Sequence, residues 1–191
     1  MILDVVQAPN AVLSAIAQPI PIRSGQVGKI DATIEKLIED MKETLVAQKD
    51  PEGIGLAAPQ VGQSLQLFIV HQNPQDPFDI FINPKLTLGH DRAITKRKDK
   101  DEEREKLEGC LSLKVIWGEV ERAKKVHMEW VDEKGKEHKA TFQGFYATIL
   151  QHEYDHLQGI LFPRRVLEQN GQLYKSHKDK EGKDVFDPVE I

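Results

Sequence analysis

The chain has 191 residues, of which 39% are hydrophobic and 30% are charged. This length suffices for one sizeable core and is short for two, so we expect a single globular domain, and no apolar run is long enough to cross a bilayer. A formal net charge of −5 excludes a general attraction to nucleic acid or anionic lipid, and a lone cysteine cannot form an internal disulfide, which fits a reducing compartment.

Hydrophobic periodicity predicts the first elements of the chain. Residues 31–49 place apolar side chains at helical spacing with acids early, which predicts an amphipathic helix. The apolar runs 65–70 and 80–82 are rich in β-branched residues and are separated by Asn, Asp and Pro, so we predict two strands joined by a loop. Residues 125–131 and 138–142 alternate on either side of a glycine turn and predict a hairpin.

The last strong pattern is a helix near the C-terminal end. Residues 145–157 contain neither Gly nor Pro, and Gly159 follows as a capping residue, so a buried helix is predicted. Strands followed by one late helix, without a repeating alternation of strand and helix, favour an α+β fold over a doubly wound one. We expect antiparallel strands packed around this central buried helix.

Polar segments suggest how the chain is divided. Residues 1–166 are expected to form one domain, and residues 167–191 read as a polar tail with few apolar anchors. A loop insertion is predicted at about 91–107, because every residue from 96 to 106 is charged and such a stretch cannot bury enough apolar surface to pack.

Residues 151–156 read Gln-His-Glu-Tyr-Asp-His and contain the pattern H-E-x-x-H. On a helix, His152 and His156 fall one turn apart on the same face, so both imidazoles can reach one metal ion. Glu153 projects at an adjacent angle and can serve as a general acid/base beside that ion. The pattern also occurs by chance in helices that bind nothing. Apolar neighbours such as Ile149 favour the metal site, because buried ionisable groups are rare unless they are paired or bind a metal.

A catalytic metal site of this kind needs a third protein ligand and an open position for water. Cys110 is the most economical candidate, because a thiolate is a good ligand for zinc or ferrous iron. A buried core cysteine is the alternative for this residue. The alternative for the ligand is a downstream acid or histidine, and His177 is ranked lower because the tail that carries it looks poorly anchored.

The segment GIGLAAPQVG, which begins at Gly53, offers a loose form of the dinucleotide-binding fingerprint. That fingerprint has to follow a strand and open a helix, whereas this segment follows a helix, so phosphate binding is disfavoured. Two interpretations stay open. The segment is either a tight turn of small residues or a loop that lets a substrate backbone approach and presents the Gln60 amide as a donor.

With three segments in this order, the sequence resembles the peptide deformylases. The segments are GIGLAAPQ from Gly53, EGCLS from Glu108 and QHEYDH from Gln151. The resemblance implies an enzyme that hydrolyses the N-formyl group of formylmethionine at the N-terminus of nascent peptides and releases formate. It also implies one metal site, with the ligands Cys110, His152 and His156.

The same resemblance assigns roles around the metal. Glu153 would be the acid/base, and the Gln60 side chain with the Leu111 backbone N–H would form an oxyanion hole. Ile54 and Gly55 would line the peptide groove. An apolar pocket near Ile149 would receive the methionine side chain. Arg122 would pair with Glu108 and hold the cysteine loop.

The identity of the metal and the rival functions stay open at this point. Two imidazoles and a thiolate suit iron, zinc, nickel or cobalt, and the resemblance favours Fe²⁺ in cells. A zinc endopeptidase shares H-E-x-x-H and the same acid/base logic, and a catalytically silent metal-binding homologue would keep the fold.

The expected partner is a formylmethionyl peptide, and the resemblance allows the ribosome exit region as a second partner. We expect a monomer with no direct nucleic-acid or membrane partner. A cytoplasmic location is expected because the N-terminal stretch carries Asp4 and Gln7 and no basic region, unlike a signal peptide.

Overall fold

The computed structural model describes residues 1–22, 30–49, 52–89 and 107–190. Within these ranges the chain forms three α-helices and two antiparallel sheets. The helices are α1 (Ala32–Ala47), α2 (Gly144–Leu157) and α3 (Phe162–Glu168). The strands are β1 (Gly55–Ala57), β2 (Leu67–Val70), β3 (Asp79–Leu88), β4 (Leu107–Gly109), β5 (Ile116–Glu119), β6 (Lys125–Val131), β7 (Glu137–Gln143), β8 (Leu173–Lys178) and β9 (Asp184–Pro188).

This mixture of helices and antiparallel sheets confirms the predicted α+β class at that level. The predicted helix over 31–49, the strands near 65–70 and 80–82 and the hairpin of β6 and β7 are all present. Residues 91–106 of the predicted charged insertion lie outside the described ranges, and Leu107 begins β4.

The larger sheet has the strand order β1-β2-β3-β6-β7, and helices cover both of its faces. All four residues of β2 are buried. Leu67 and Ile69 pack in the cluster that contains the apolar residues of α1, whereas Phe68 and Val70 pack in the cluster that contains those of α2. Because successive side chains of a strand point to opposite faces, α1 and α2 lie on opposite sides of this sheet. Burial on both faces explains the uninterrupted apolar run.

The smaller sheet has the order β4-β5-β8-β9 and corrects the expectation of a poorly anchored tail. Strand β8 pairs with β5, and β9 pairs with β8. Leu173 packs against the cluster of Cys110, Phe162 and Val166. Because backbone pairing fixes this segment, it needs few buried apolar side chains, and a count of apolar anchors underestimated its order.

Helix α2 is bounded by two glycines in the left-handed region. Gly144 has φ +66° and Gly159 also has φ +66°. After the last turn, the Gly159 N–H donates to the His156 carbonyl and the Ile160 N–H donates to the Asp155 carbonyl, which is how a glycine cap satisfies the end of a helix. The predicted capping role of Gly159 is therefore confirmed.

Among the helices of the described ranges, none has the length and apolar character needed to cross a membrane.

Candidate metal centre and active site

Three potential metal ligands meet at one point of the structure. One ligand atom from each of Cys110, His152 and His156 lies within 4.8 Å of the others. Cys110 Sγ and His156 Nε2 are 3.3 Å apart. The two histidines come from successive turns of α2, and the cysteine comes from the loop after β4. The spacing of the two histidines on α2 and the position of the loop after β4 therefore bring together the three ligands that the sequence analysis proposed.

The chemistry of this set fits a divalent metal ion. Among the described residues, His156 Nδ1 is a buried polar atom with no hydrogen-bond partner, and so is Glu153 Oε2. Burial, followed by the charges of His152 and Arg122, holds the pKa of His156 well below its ordinary value. The imidazole is therefore neutral, which is the form that binds metals. One thiolate and two imidazoles are the donors preferred by zinc and iron.

The second ligand histidine is oriented by Glu108, an acid of β4 that lies two residues before Cys110. His152 Nδ1 lies 3.0 Å from Glu108 Oε2, which leaves the other ring nitrogen for the metal. Burial alone would lower the pKa of His152, but its interactions with Cys110 and Glu108 raise the pKa well above the ordinary value. Cys110 and Glu108 therefore stabilise a positive charge on this imidazole, and a metal ion bound there would take the place of the proton.

Glu108 belongs to a chain of alternating charges that continues behind the ligands. Arg122 donates to both of its carboxylate oxygens, at 2.8 Å and 2.9 Å. Arg122 also donates to Asp155 at 2.6 Å, and Asp155 accepts two further bonds from Arg165. Burial would raise the pKa of Glu108, but the bonds from Arg122 and His152 outweigh it and lower the pKa to about 2. Glu108 is thus a permanent anion, and its predicted pairing with Arg122 is confirmed.

Glu153 lies beside the ligands and is almost fully buried. Its exposed fraction is 4%, and burial raises its pKa to about 7. A carboxyl group with a pKa near neutrality can both accept and return a proton. Gly55 of β1 packs directly on it, since a Cβ atom at position 55 would stand 2.4 Å from Glu153 Oε1. A glycine here makes room for the carboxylate.

Both the oxygen and the nitrogen of the Gln60 side-chain amide have polar partners. Its Oε1 accepts a hydrogen bond from the Ala57 N–H at 2.9 Å, and its Nε2 points at Cys110 Sγ at 3.5 Å and Ser112 Oγ at 3.4 Å. With 2% exposure it is a buried donor aimed at the ligand cluster. Of the two interpretations of its segment, presentation of the amide agrees with this geometry, although β1 and a 3₁₀ turn over 58–61 replace the simple turn.

A pocket opens in front of these groups and is lined mainly by apolar side chains. Ile54, Gly55, Leu111 and Ile149, which the sequence assigned to the site, are among its lining residues. The rest of the lining includes Leu107, Gly109, Trp117, Phe145 and Thr148. An apolar pocket with a few convergent polar groups is the usual form of a ligand site. His177, the competing ligand, instead pairs with Asp187 on the hairpin of β8 and β9.

Sequence reasoning missed several residues that the structure brings to the site. The bond from Glu108 to His152 joins residues 44 apart, and only the adjacency of Glu108 to the cysteine loop hinted at it. Arg165 was not predicted, because nothing in the sequence distinguishes it from its neighbour Arg164. Trp117 was also missed, since its strand gave no clear alternation.

Comparisons with known proteins agree with this geometry. The family model described as "Polypeptide deformylase" matches residues 2–172. The chain is similar to the peptide deformylase of Pseudothermotoga lettingae, with 40% identity over 73% of this chain and 72% of that protein. It is also 32% identical to the peptide deformylase of Aquifex aeolicus, over 93% of this chain and 100% of that protein.

Solved structures show the same likeness. The chain matches a Legionella pneumophila peptide deformylase with a TM-score of 0.71 and 31% identity, over 86% of each chain. It matches a Synechococcus elongatus peptide deformylase in complex with actinonin with a TM-score of 0.70 and 32% identity, over 85% of this chain and 79% of that one. The chain therefore belongs to the peptide deformylase family.

Proposed function

We propose that this chain removes the N-formyl group from formylmethionine at the N-terminus of nascent peptides, with the buried cluster around Cys110 as its reaction centre. Hydrolysis of this linear amide is the activity of the family to which it belongs. The observation that carries the residue assignment is the meeting of three ligand atoms with an unpartnered Glu153 oxygen in front of an apolar pocket.

In the proposed site, Cys110, His152 and His156 hold one divalent ion. Such an ion supplies Lewis-acid activation of the formyl oxygen and of water. We propose Fe²⁺ as the ion in cells, while zinc, nickel and cobalt suit the same donors. Anaerobic purification followed by metal analysis and activity measurement tests this choice. A preparation that contains only zinc and is fully active would contradict it.

In the proposed mechanism, Glu153 transfers the proton, and Gln60 and Leu111 stabilise the developing charge. Glu153 takes the proton of the attacking water, and its near-neutral pKa supports its later return of that proton to the departing amine. Water thus adds across the amide bond, giving formate and a free amine. The Gln60 amide and the Leu111 N–H receive the charge that develops on the formyl oxygen. The packing of Gly55 against Glu153 supports a fixed position for the carboxylate.

The pocket supports a binding mode for the peptide. Ile149 and its apolar neighbours receive the methionine side chain, and Ile54 and Gly55 lie along the peptide backbone. An apolar lining contributes about 25 cal/mol for each Å² of methionine surface removed from water. This mode agrees with a preference for formylmethionine over polar formyl amino acids.

The finer architecture is proposed on the same basis. Helix α2 carries H-E-x-x-H and buries eight of its residues, which supports its role as the central helix around which the strands pack. Residues 1–166 contain every proposed reacting group and form the catalytic unit. Residues 167–191 are an added C-terminal segment, and residues 91–106 of the predicted insertion lie outside the described ranges.

We further propose that the protein acts as a monomer in the cytoplasm, on peptides that leave the ribosome exit region. All the proposed reacting groups come from one chain, which supports a monomer. Cys110 has to stay reduced to serve as a ligand, which supports a reducing compartment.

The test of the mechanism is Glu153→Ala. We expect this variant to keep its metal and to lose nearly all formate release from a formyl-Met dipeptide, because the ligands remain while the acid/base is gone. Loss of metal together with activity would mean that Glu153 is a ligand. Unchanged activity would make it a bystander on the helix.

Asp155→Asn is the matched control. Asp155 has the same charge and lies on the same helix, but it points away from Glu153 and bonds to Arg122 and Arg165. We expect a smaller loss of activity for this variant, because Asp155 acts on the site only through other residues.

A separate assay tests the rival function. Cleavage of casein by the unaltered protein, without formate release from the dipeptide, would favour an endopeptidase.

A further inference from the structure

The side chain of Trp117 connects the pocket to the C-terminal hairpin of β8 and β9. Trp117 lines the pocket and is paired with Gly109 across β4 and β5. The contact is so close that a Cβ atom on Gly109 would lie 2.6 Å from the indole ring. Gly109 immediately precedes Cys110. The indole therefore forms a wall of the pocket one residue from a proposed metal ligand.

The register of the smaller sheet places the hairpin residues on the same face as this indole. Trp117 is opposite Tyr174 on β8, and residues directly opposite one another share a face. Ser176 lies two residues further along β8 and is opposite Phe186 on β9. Because side chains alternate along a strand, Ser176 and Phe186 share the face of Trp117, and Val185 points to the other face.

Two contacts hold the indole from the hairpin side. Trp117 Nε1 donates a hydrogen bond to Ser176 Oγ at 3.1 Å. Phe186 meets the ring edge to face, with centroids 5.6 Å apart and planes at 89°. Aromatic pairs favour this geometry, and an indole N–H that is partly buried needs an acceptor. Together these contacts fix both the position and the rotation of the ring.

We propose that two residues of the hairpin of β8 and β9, Ser176 and Phe186, determine specificity, because they hold Trp117 as a wall of the peptide pocket. This inference rests on the proposed function of that pocket. The hairpin begins at Leu173, one residue beyond the segment matched by the family model. Ser176 and Phe186 touch no proposed reacting group, so they act as positioning residues through the indole.

The experiment measures kcat and KM for formyl-Met dipeptides that differ only in their second residue, alanine or leucine. In Ser176→Ala and Phe186→Ala, we expect KM to rise about three- to tenfold, more for the leucine peptide, with kcat and metal content near those of the unaltered protein. Phe186→Leu keeps apolar volume but loses the aromatic edge. Its KM should lie between the KM of the unaltered protein and that of Phe186→Ala. Val185→Ala is the matched control, because it shortens an apolar side chain on the opposite face of β9, and its KM should not change.

Equal KM values in Ser176→Ala, Phe186→Ala and Val185→Ala would overturn the inference. So would parallel losses of kcat and metal content, which would indicate a structural role alone. Should Phe186→Ala fail to fold, Ser176→Ala decides, because it removes a single hydrogen bond.

A binding measurement separates failure of this inference from failure of the proposed function. The chain has two tryptophans, so Trp130→Phe leaves Trp117 as the only indole. We expect formyl-Met-Leu to change the fluorescence of Trp117 in this variant, and Ser176→Ala to weaken that response several-fold. An unaltered protein that releases no formate would contradict the proposed function. A fluorescence response absent at saturating peptide in an active enzyme would overturn the inference.

Discussion

Gly55→Ala is the substitution whose effect on turnover can be worked out most directly from the structure. The added methyl carbon would stand 2.4 Å from Oε1, 2.7 Å from Cδ and 2.9 Å from Cγ of Glu153, whereas ordinary contacts begin at 3.4 Å. The carboxylate or β1 therefore has to move by about 1 Å. A displacement of this size at a reacting group costs on the order of 100-fold in rate, or about 2.7 kcal/mol of activation free energy. The backbone adds no strain, because Gly55 is not among the glycines with positive φ.

The assay for Gly55→Ala is formate release from a formyl-Met dipeptide, with metal content measured on the same sample. We expect metal to be retained, because neither Gly55 nor its immediate neighbours bind the ion. Turnover within threefold of the unaltered protein would refute the reasoning.

A double-mutant cycle with Glu153→Ala identifies the partner. We expect Gly55→Ala to lower the free energy of unfolding by about 1–3 kcal/mol in the unaltered protein and by much less when residue 153 is alanine. Equal destabilisation in both backgrounds would show that the methyl group collides with something else.

The remaining predictions concern the ligand, the donor and the charge chain. Cys110→Ser should sharply lower metal content, because a hydroxyl is a poor ligand near neutral pH, and an unchanged cobalt spectrum would remove Cys110 from the site. Gln60→Leu should lower turnover by roughly two to three orders of magnitude and leave the buried Ala57 N–H unpaired, as kinetics and thermal unfolding would show. Arg122→Met should destabilise the protein by about 3–5 kcal/mol in urea unfolding, because it leaves the buried Glu108 carboxylate without its cation. A change below about 1 kcal/mol would mean that water takes the place of the guanidinium.

The elements that the sequence predicted well are those whose side chains repeat at a clear period. Helix α2 was visible because residues 145–157 contain neither Gly nor Pro and Gly159 follows two residues later. Strand β2 was visible as an apolar run because both of its faces are buried. The histidine pair follows from the local pattern H-E-x-x-H, and Cys110 was the most economical third ligand. The roles of Gln60 and Leu111 were assigned only through the resemblance of three local motifs to the peptide deformylases.

What the sequence could not supply is the set of contacts between distant segments. The smaller sheet is made of short, half-buried strands, and β8 reads as Leu-Tyr-Lys-Ser-His-Lys, which resembles a polar tail. Its order depends on pairing with β5, more than 50 residues earlier in the chain. The bond between Arg165 and Asp155 depends in the same way on the path of the chain after α2. No single-sequence pattern encodes such a partner.

The burial of β2 on both faces has a consequence for the motions of the molecule. Its amides are covered by a helix on either side and paired with β1 and β3, so we expect them to exchange with deuterium only through global unfolding. The hairpin of β8 and β9 pairs with one edge of β5 and adds side-chain contacts through Leu173, Ser176 and Phe186, so it is less covered than β2 and should open at a lower free energy. The pocket wall can then fluctuate while α2 keeps its histidines in place. Such a division of local stability would let Trp117 leave its place only when the hairpin opens, while the proposed metal ligands on α2 stay together.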